Sequence, residues 1–197
     1  MALGKQAKII TDKQVRAVLA ELDTRRYPRR DRAIFLFSVK AGLRAVEIAS
    51  ITWGMVMDAE GEVADLIALE NRASKGKGGG RNIPMHPDLK VALIELQRER
   101  GTDARPGLPV IFSERDRGLS AAALAVWFFR LYAGLGMIGC SSHSGRRTFI
   151  TRAARRIGEV GGSLRDIQQL AGHSSLATTS RYIETDAEAQ RKLVALI

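Results

Sequence analysis

Two arginines, two histidines and a tyrosine, Arg44, Arg146, His143, His173 and Tyr182, sit in short stretches whose make-up could carry chemistry. A guanidinium offers a planar fork of N–H donors that meets a phosphate or carboxylate with paired hydrogen bonds. An imidazole changes charge near neutrality and can give or take a proton. A tyrosine phenol ionises near ~10, so it acts as a nucleophile only with a base or a positive field beside it. These types together suit transfer at phosphorus, where charge on non-bridging oxygens can be met by cations. No Asp and Glu cluster of the kind that holds two Mg²⁺ ions accompanies them. Gly76 to Gly80 also lacks the Gly-Lys-Ser/Thr ending of a nucleotide-binding loop. The chemistry expected needs neither metal nor cofactor.

Spacing narrows the reading. His143-Ser-Gly-Arg146 puts a histidine and an arginine three apart, on one helix face. In Leu170-Ala-Gly-His173-Ser-Ser-Leu-Ala-Thr-Thr-Ser-Arg-Tyr182, Gly172 suits a helix end and Ser174 or Ser175 the cap of the next helix. His173 then falls at the junction, with Tyr182 about two turns along the second helix. Arg44 and Glu47 stand at i and i+3 in Ala41-Gly-Leu-Arg-Ala-Val-Glu-Ile-Ala-Ser-Ile-Thr-Trp53. Each piece alone has a plain structural alternative. The His and Arg could be a solvated helix face, Tyr182 a half-buried aromatic, and Arg44 with Glu47 a surface ion pair worth only ~0.3–0.5 kcal/mol.

Order along the chain decides between them. Gly-Leu-Arg-x-x-Glu with Trp53 six residues on, a lysine-bearing hairpin ending in Ile83-Pro84, His-x-x-Arg, and Leu-x-Gly-His with a tyrosine nine residues later resembles the phage integrase, or tyrosine recombinase, family. The resemblance runs from about Thr11 to the C-terminus. It implies a mainly α fold with a small antiparallel β-sheet. By position it assigns Arg44 and Arg146 to a scissile phosphate, Tyr182 to nucleophilic attack, and His143 and His173 to phosphate support and proton handling. A hairpin lysine would protonate the leaving 5′ oxygen, with Glu47 supporting the arginines from behind.

Two lysines compete for that role. Lys75 follows a serine, as family lysines often follow Ser or Thr, and is preferred; Lys77, Arg81 and Arg147 are then expected on backbone phosphates. The family commonly has Leu before the motif arginine, where this chain has Gly145. It also usually carries a DNA-binding domain ahead of the catalytic one, whereas only about ten residues precede the first helix here. The expectation is one catalytic domain over residues 1–197, with 1–10 a flexible tail and no preceding core-binding domain: either a fragment of a longer recombinase or a member of the short class resembling fimbrial phase-switch invertases, which Met1 favours. Two alternatives are carried. One is a type IB topoisomerase-like enzyme; the other is a non-catalytic DNA-binding regulator of the same fold.

The totals fit a nucleic-acid partner. Lys and Arg number 31 against 21 for Asp and Glu, a net +10, and the pI is near 10.3; neutralising phosphates releases condensed counterions. Double-stranded DNA is the expected partner, engaged as a homo-oligomer (dimer or tetramer), with accessory DNA-bending proteins and no membrane. A lone Cys140 excludes an intrachain disulfide. The N-terminus is too polar for a signal peptide, and no apolar run approaches the ~20 residues that span a bilayer. A cytoplasmic, nucleoid-associated protein is expected.

The elements that must position these residues follow from periodicity and punctuation. Thr11 caps a helix bearing Val15, Val18, Leu19 and Leu22; Arg25 to Arg32 reads as a connector; Ala33 to Val39 is a buried helix. Leu43 to Ile51 is a short helix. Met55 to Leu69 reads as strands with a turn, and Arg81 to Met85 as a strand returning from the Ser74–Gly80 hairpin. Helices are expected over 88–100, from Ser120 to Tyr132, and over 142–157, 163–171, 175–183 and 186–196. The last would present Leu193, Val194 and Ile197 as an apolar edge, packed on its own core or on a neighbouring protomer.

Overall fold

In the computed structural model, residues 7–74, 80–115, 117–182 and 194–195 are described. Their organising element is a helix buried on every side, α2 (Pro28–Lys40), in which Ala33, Ile34, Phe35, Leu36, Phe37 and Val39 all lie in the core. A helix apolar all round must be enclosed. It is: α1 (Asp12–Asp23), α4 (Pro87–Arg100) and α6 (Ser144–Arg156) pack around it. The short α3 (Ala45–Ser50) follows the turn at Gly42 and packs on α5 (Ala121–Gly134). Beyond α6 come α7 (Leu164–Ala171) and α8 (Leu176–Ser180), around a small second cluster of Ile150, Ile167 and Ala171. Among the described residues the fold is mainly helical with one small antiparallel sheet.

That sheet pairs β1 (Leu66–Leu69) with β2 (Arg81–Pro84), setting Ile67 against Ile83 and Leu69 against Arg81. Alternation puts Arg81 and Ile83 on one face of β2, and Ile83 is buried. Below the hairpin tip, Asn71 Oδ1 accepts the Gly80 N–H at 2.8 Å. Lys75 and Lys77 lie outside the described residues, as does most of the helix expected over 186–196.

Several expectations needed moving. The connector over 25–32 is shorter than expected, because α2 starts at Pro28, whose fixed φ and missing N–H suit a first helical turn. Of the 55–69 stretch, only Leu66–Leu69 forms a strand; upstream, a single bridge joins Met57 and Val63 across a turn tied by Asp58. The tail expected over 1–10 is anchored from Ala7 on. Ile10 is fully buried and its N–H donates to Thr148 Oγ1, while Arg147 and Arg152 donate to the Ala7 and Ile10 carbonyls. The helix expected to carry Tyr182 ends at Ser180, and Tyr182 stands in the turn beyond it.

Gly145, the departure from the family pattern, has a local cause. A Cβ there would come within 2.2 Å of Ser38 Oγ. The glycine lets α6 lie directly on α2, and this close approach draws Arg146 into the interior.

Candidate active site

The site is organised by the last turn of α7. The final carbonyls of a helix have no partner within it, and here three in succession each accept from a different arginine. Arg81 Nε donates to Leu170 at 2.9 Å, Arg146 Nη2 to Ala171 at 2.6 Å, and Arg44 Nη2 to Gly172 at 3.5 Å. Positive charge is favoured at this end of a helix dipole. Gly172 then takes the left-handed conformation, φ +60°, that turns the chain out of the helix and delivers His173.

One carboxylate sits behind the three cations. Glu47 is 0% exposed and accepts from Arg44 twice, at its N–H (2.8 Å) and Nη1 (2.9 Å). Arg81 reaches it through Nη1 (3.0 Å) and Nη2 (3.3 Å), and Arg146 Nη1 lies 3.9 Å away. Burial pushes the Glu47 carboxyl up, but hydrogen bonding and charge from Arg81, then from Arg44, outweigh it, so the group lies below the usual carboxylate range. It is therefore ionised at neutral pH. Three guanidiniums against one carboxylate leave a positive surplus.

Arg146 carries the clearest sign of that surplus. It is 4% exposed, and a second hydrogen bond, Nη1 to the Gly42 carbonyl at 2.7 Å, fixes its plane. Burial, then repulsion from Arg44, lowers it to about 10, which still leaves it charged at neutral pH. His173, 8% exposed, places Nδ1 3.0 Å from Thr179 Oγ1. Burial first, then Arg146 and Arg44, pull its imidazole down to about 4, so it is neutral at pH 7. The ring of Tyr182 stacks on it, centroids 5.6 Å apart and planes 17° from parallel, and packs on the Ile150, Ile167 and Ala171 cluster.

A cleft of about 380 Å³ is lined by Arg44, Arg146, His143, His173 and Tyr182, with Arg147 and Arg181 beside them. Five of the six residues expected to be catalytic thus share one wall; the sixth, Lys75, is not among the described residues. His143 is exposed at the entry to α6 rather than within it. Arg147 lines the cleft while its Nη1 donates to the Ala7 carbonyl. Arg81, expected on a DNA phosphate, donates to Glu47 and Leu170. The extent of Glu47's role was not visible from its i, i+3 spacing alone. Nor was Thr179, for which the sequence gave only a hydroxyl six residues after His173.

The phage integrase family model matches residues 8–189. The chain belongs to this family. Among curated members it is 30% identical over 186 residues to tyrosine recombinase XerA of Thermococcus onnurineus, covering 94% of this chain and 61% of that relative. It is 28% identical over 160 residues to tyrosine recombinase XerC of Brucella suis, covering 81% and 47% respectively. The chain thus spans between about half and three-fifths of the length of these relatives. The phage integrase fold is equally plain. The Tn1549 transposon integrase, solved with a circular-intermediate DNA, superposes with a TM-score of 0.75 at 19% identity, covering 99% of this chain and 67% of that one.

Proposed function

We propose that this chain is a site-specific recombinase that cuts and rejoins double-stranded DNA through a 3′-phosphotyrosine at Tyr182. The observation that carries the reading is the convergence of Arg44, Arg146, His173 and Tyr182 on one positively charged cleft. Family membership supports the same chemistry.

In this reaction the Tyr182 Oη attacks the scissile phosphorus, a new P–O bond forms, and the bond to the 5′ oxygen breaks. The phenolic proton passes to one of the cleft histidines, His143 or His173, and the departing 5′ oxygen takes a proton from Lys75. Rejoining reverses the step: a 5′ hydroxyl attacks the phosphotyrosine and releases Tyr182. Bond energy is kept in the covalent intermediate. Arg44 and Arg146 clamp the non-bridging oxygens, and His143 and His173 support them. The guanidiniums are pre-set by carbonyls and Glu47, so little reorganisation accompanies the development of charge. Their mutual repulsion is relieved as a phosphate enters, which favours the transition state further.

Lys77 and Arg147 are assigned to backbone phosphates, and the +10 net charge supplies the wider attraction for the duplex. We place the active form as a dimer or tetramer on DNA, aided by DNA-bending proteins, in the cytoplasm on nucleoid DNA. The reading assigns residues 1–197 to one catalytic unit.

Covalent capture tests the reading. The protein is incubated without divalent metal with a pool of nicked duplexes of varied sequence, beside Tyr182→Phe. SDS-stable protein–DNA adducts from the wild type alone are expected, and the trapped DNA reports the site. Adducts that persist in Tyr182→Phe would remove Tyr182 from the mechanism.

A further inference from the structure

Arg81 plays no part in the reaction as written, yet its surroundings are not those of a surface cation. Its side chain is 9% exposed on the inward face of β2. Its guanidinium joins two segments distant in sequence: Glu47 before the sheet, and the end of α7 with its Gly172 turn after it. A Cβ at Gly172 would stand 2.7 Å from Arg81 Nη1, so the turn that delivers His173 is seated directly on this guanidinium.

We propose that Arg81 is a positioning residue for strand cleavage, holding Arg44 through Glu47 and His173 through the end of α7. The inference rests on the recombinase reading above. Its physical basis is the sharing of one carboxylate. Glu47 Oε1 accepts from Arg44 and Arg81 together, and Oε2 from the Arg44 N–H and Arg81 Nη2. With Arg81 gone, Glu47 has only Arg44 and the more distant Arg146 to satisfy it. Swinging toward Arg146, 3.9 Å away, would engage a guanidinium needed by the phosphate. The Leu170 carbonyl would also lose its partner, loosening the turn that aims His173. A lysine cannot replace this fork, since one ammonium lacks the planar set of donors that spans a carboxylate and a carbonyl.

The same placement acts electrostatically on His173. Facing that imidazole are Arg44 and Glu47, Arg81 from β2, Arg146 from α6, and the Tyr182 ring; His143, Arg147 and Arg181 line the same cleft. Removing the Arg81 charge removes one of three cations that disfavour the imidazolium, whereas Arg81→Lys keeps it.

The test compares wild type, Arg81→Met and Arg81→Lys on a nicked duplex recovered from the capture pool, with thermal unfolding as the check on folding. Single-turnover cleavage is expected to fall on the order of 10–100-fold in Arg81→Met, the scale of a small misplacement of reacting groups. The salt dependence of DNA affinity should be unchanged, because no phosphate contact is lost. In Arg81→Lys, cleavage should fall nearly as far. NMR titration of the imidazoles in the DNA-free protein, simple with three histidines, should show the His173 midpoint raised in Arg81→Met and close to wild type in Arg81→Lys. A salt slope reduced by about one, in step with cleavage, would make Arg81 a backbone contact and overturn the proposal. Wild-type cleavage in Arg81→Lys or Arg81→Met would overturn it too. If the wild type captures no duplex at all, the recombinase reading fails instead. The titration then still decides: an unmoved His173 midpoint in folded Arg81→Met means that Arg81 does not govern the turn.

Discussion

Gly145 and Ser38 meet so closely that α6 and α2 have no room for a single added carbon: a Cβ on the glycine would lie 2.2 Å from the serine Oγ and 2.9 Å from its Cβ. Gly145→Ala should therefore destabilise the protein by about 1–3 kcal/mol, the scale of overpacking in a tight core. Cleavage should fall with it, because the same helix carries Arg146. The Ser38 hydroxyl is buried and makes no hydrogen bond among the described residues. Ser38→Ala alone should thus be neutral or slightly stabilising, and it should recover part of the loss in the double variant. Denaturant unfolding of the four-protein cycle checks this; additive effects would show that the two helices do not compete for that space.

Arg44→Ala and Arg146→Ala should each cut strand cleavage by at least about 10²–10³-fold, the usual cost of losing a charge-stabilising donor. Duplex affinity should change little, since many other basic residues remain. The two should differ in stability. Arg146 is buried on two carbonyls, so its loss leaves buried acceptors unmet at about 1–3 kcal/mol, whereas Arg44 is more exposed. Affinity falling as steeply as cleavage, measured by anisotropy and single-turnover assays, would contradict this division of labour.

Acid should weaken the fold through two groups acting in neighbouring windows. His173 is lowered to about 4 from an ordinary 6.5, so between those values the unfolded chain binds a proton that the folded chain refuses. Stability therefore rises with pH across that window and is flat above it. Glu47 is also lowered, from 4.5; its contribution is full above the unfolded value and is lost as pH falls through the folded one. His173→Gln should flatten the upper window and Glu47→Gln the lower, in unfolding measured from pH 3 to 8. Loss of both windows in either variant would mean the two groups titrate as one.

Thr179→Val should slow cleavage while leaving DNA affinity intact. The Thr179 hydroxyl meets His173 Nδ1 at 3.0 Å, and this contact fixes which ring nitrogen is left for the cleft. A loss on the order of tenfold is expected, in line with supporting partners of functional histidines. Thr179→Ser should restore most of the rate. An equal deficit in Thr179→Ser would point to the packing of the methyl group instead.

Much of this arrangement was legible because its signals are local. The Thr11 and Ser120 caps and the glycine stop at 172 were readable from a few adjacent residues, and the structure has them. The start of α2 was missed because Pro28-Arg-Arg-Asp-Arg32 looks solvent-bound. In the fold Arg30 and Asp31 are buried against each other, with Trp127 Nε1 on the same carboxylate, 96 positions away. The inward partners of Arg81 were hidden for the same reason. Its partners lie 34 and 89 positions away, and the one local hint was that it shares a strand face with the apolar Ile83. Pairing across distant segments leaves no periodicity to read.

The carbonyls at the end of α7 have one more consequence, which concerns time rather than geometry. Their arginine partners lie 128, 89 and 25 positions earlier in the chain, and Arg146 reaches back 104 positions to Gly42. Contacts so far apart in sequence pay their loop-closure entropy before they return any stability, and they form late. During synthesis, Arg44 and Glu47 leave the ribosome long before anything exists at residue 172 to organise them. A half-made chain carries the positive charge but not the assembled cleft. The cluster of arginines, Glu47 and His173 therefore exists only once the residues through His173 have been made and folded.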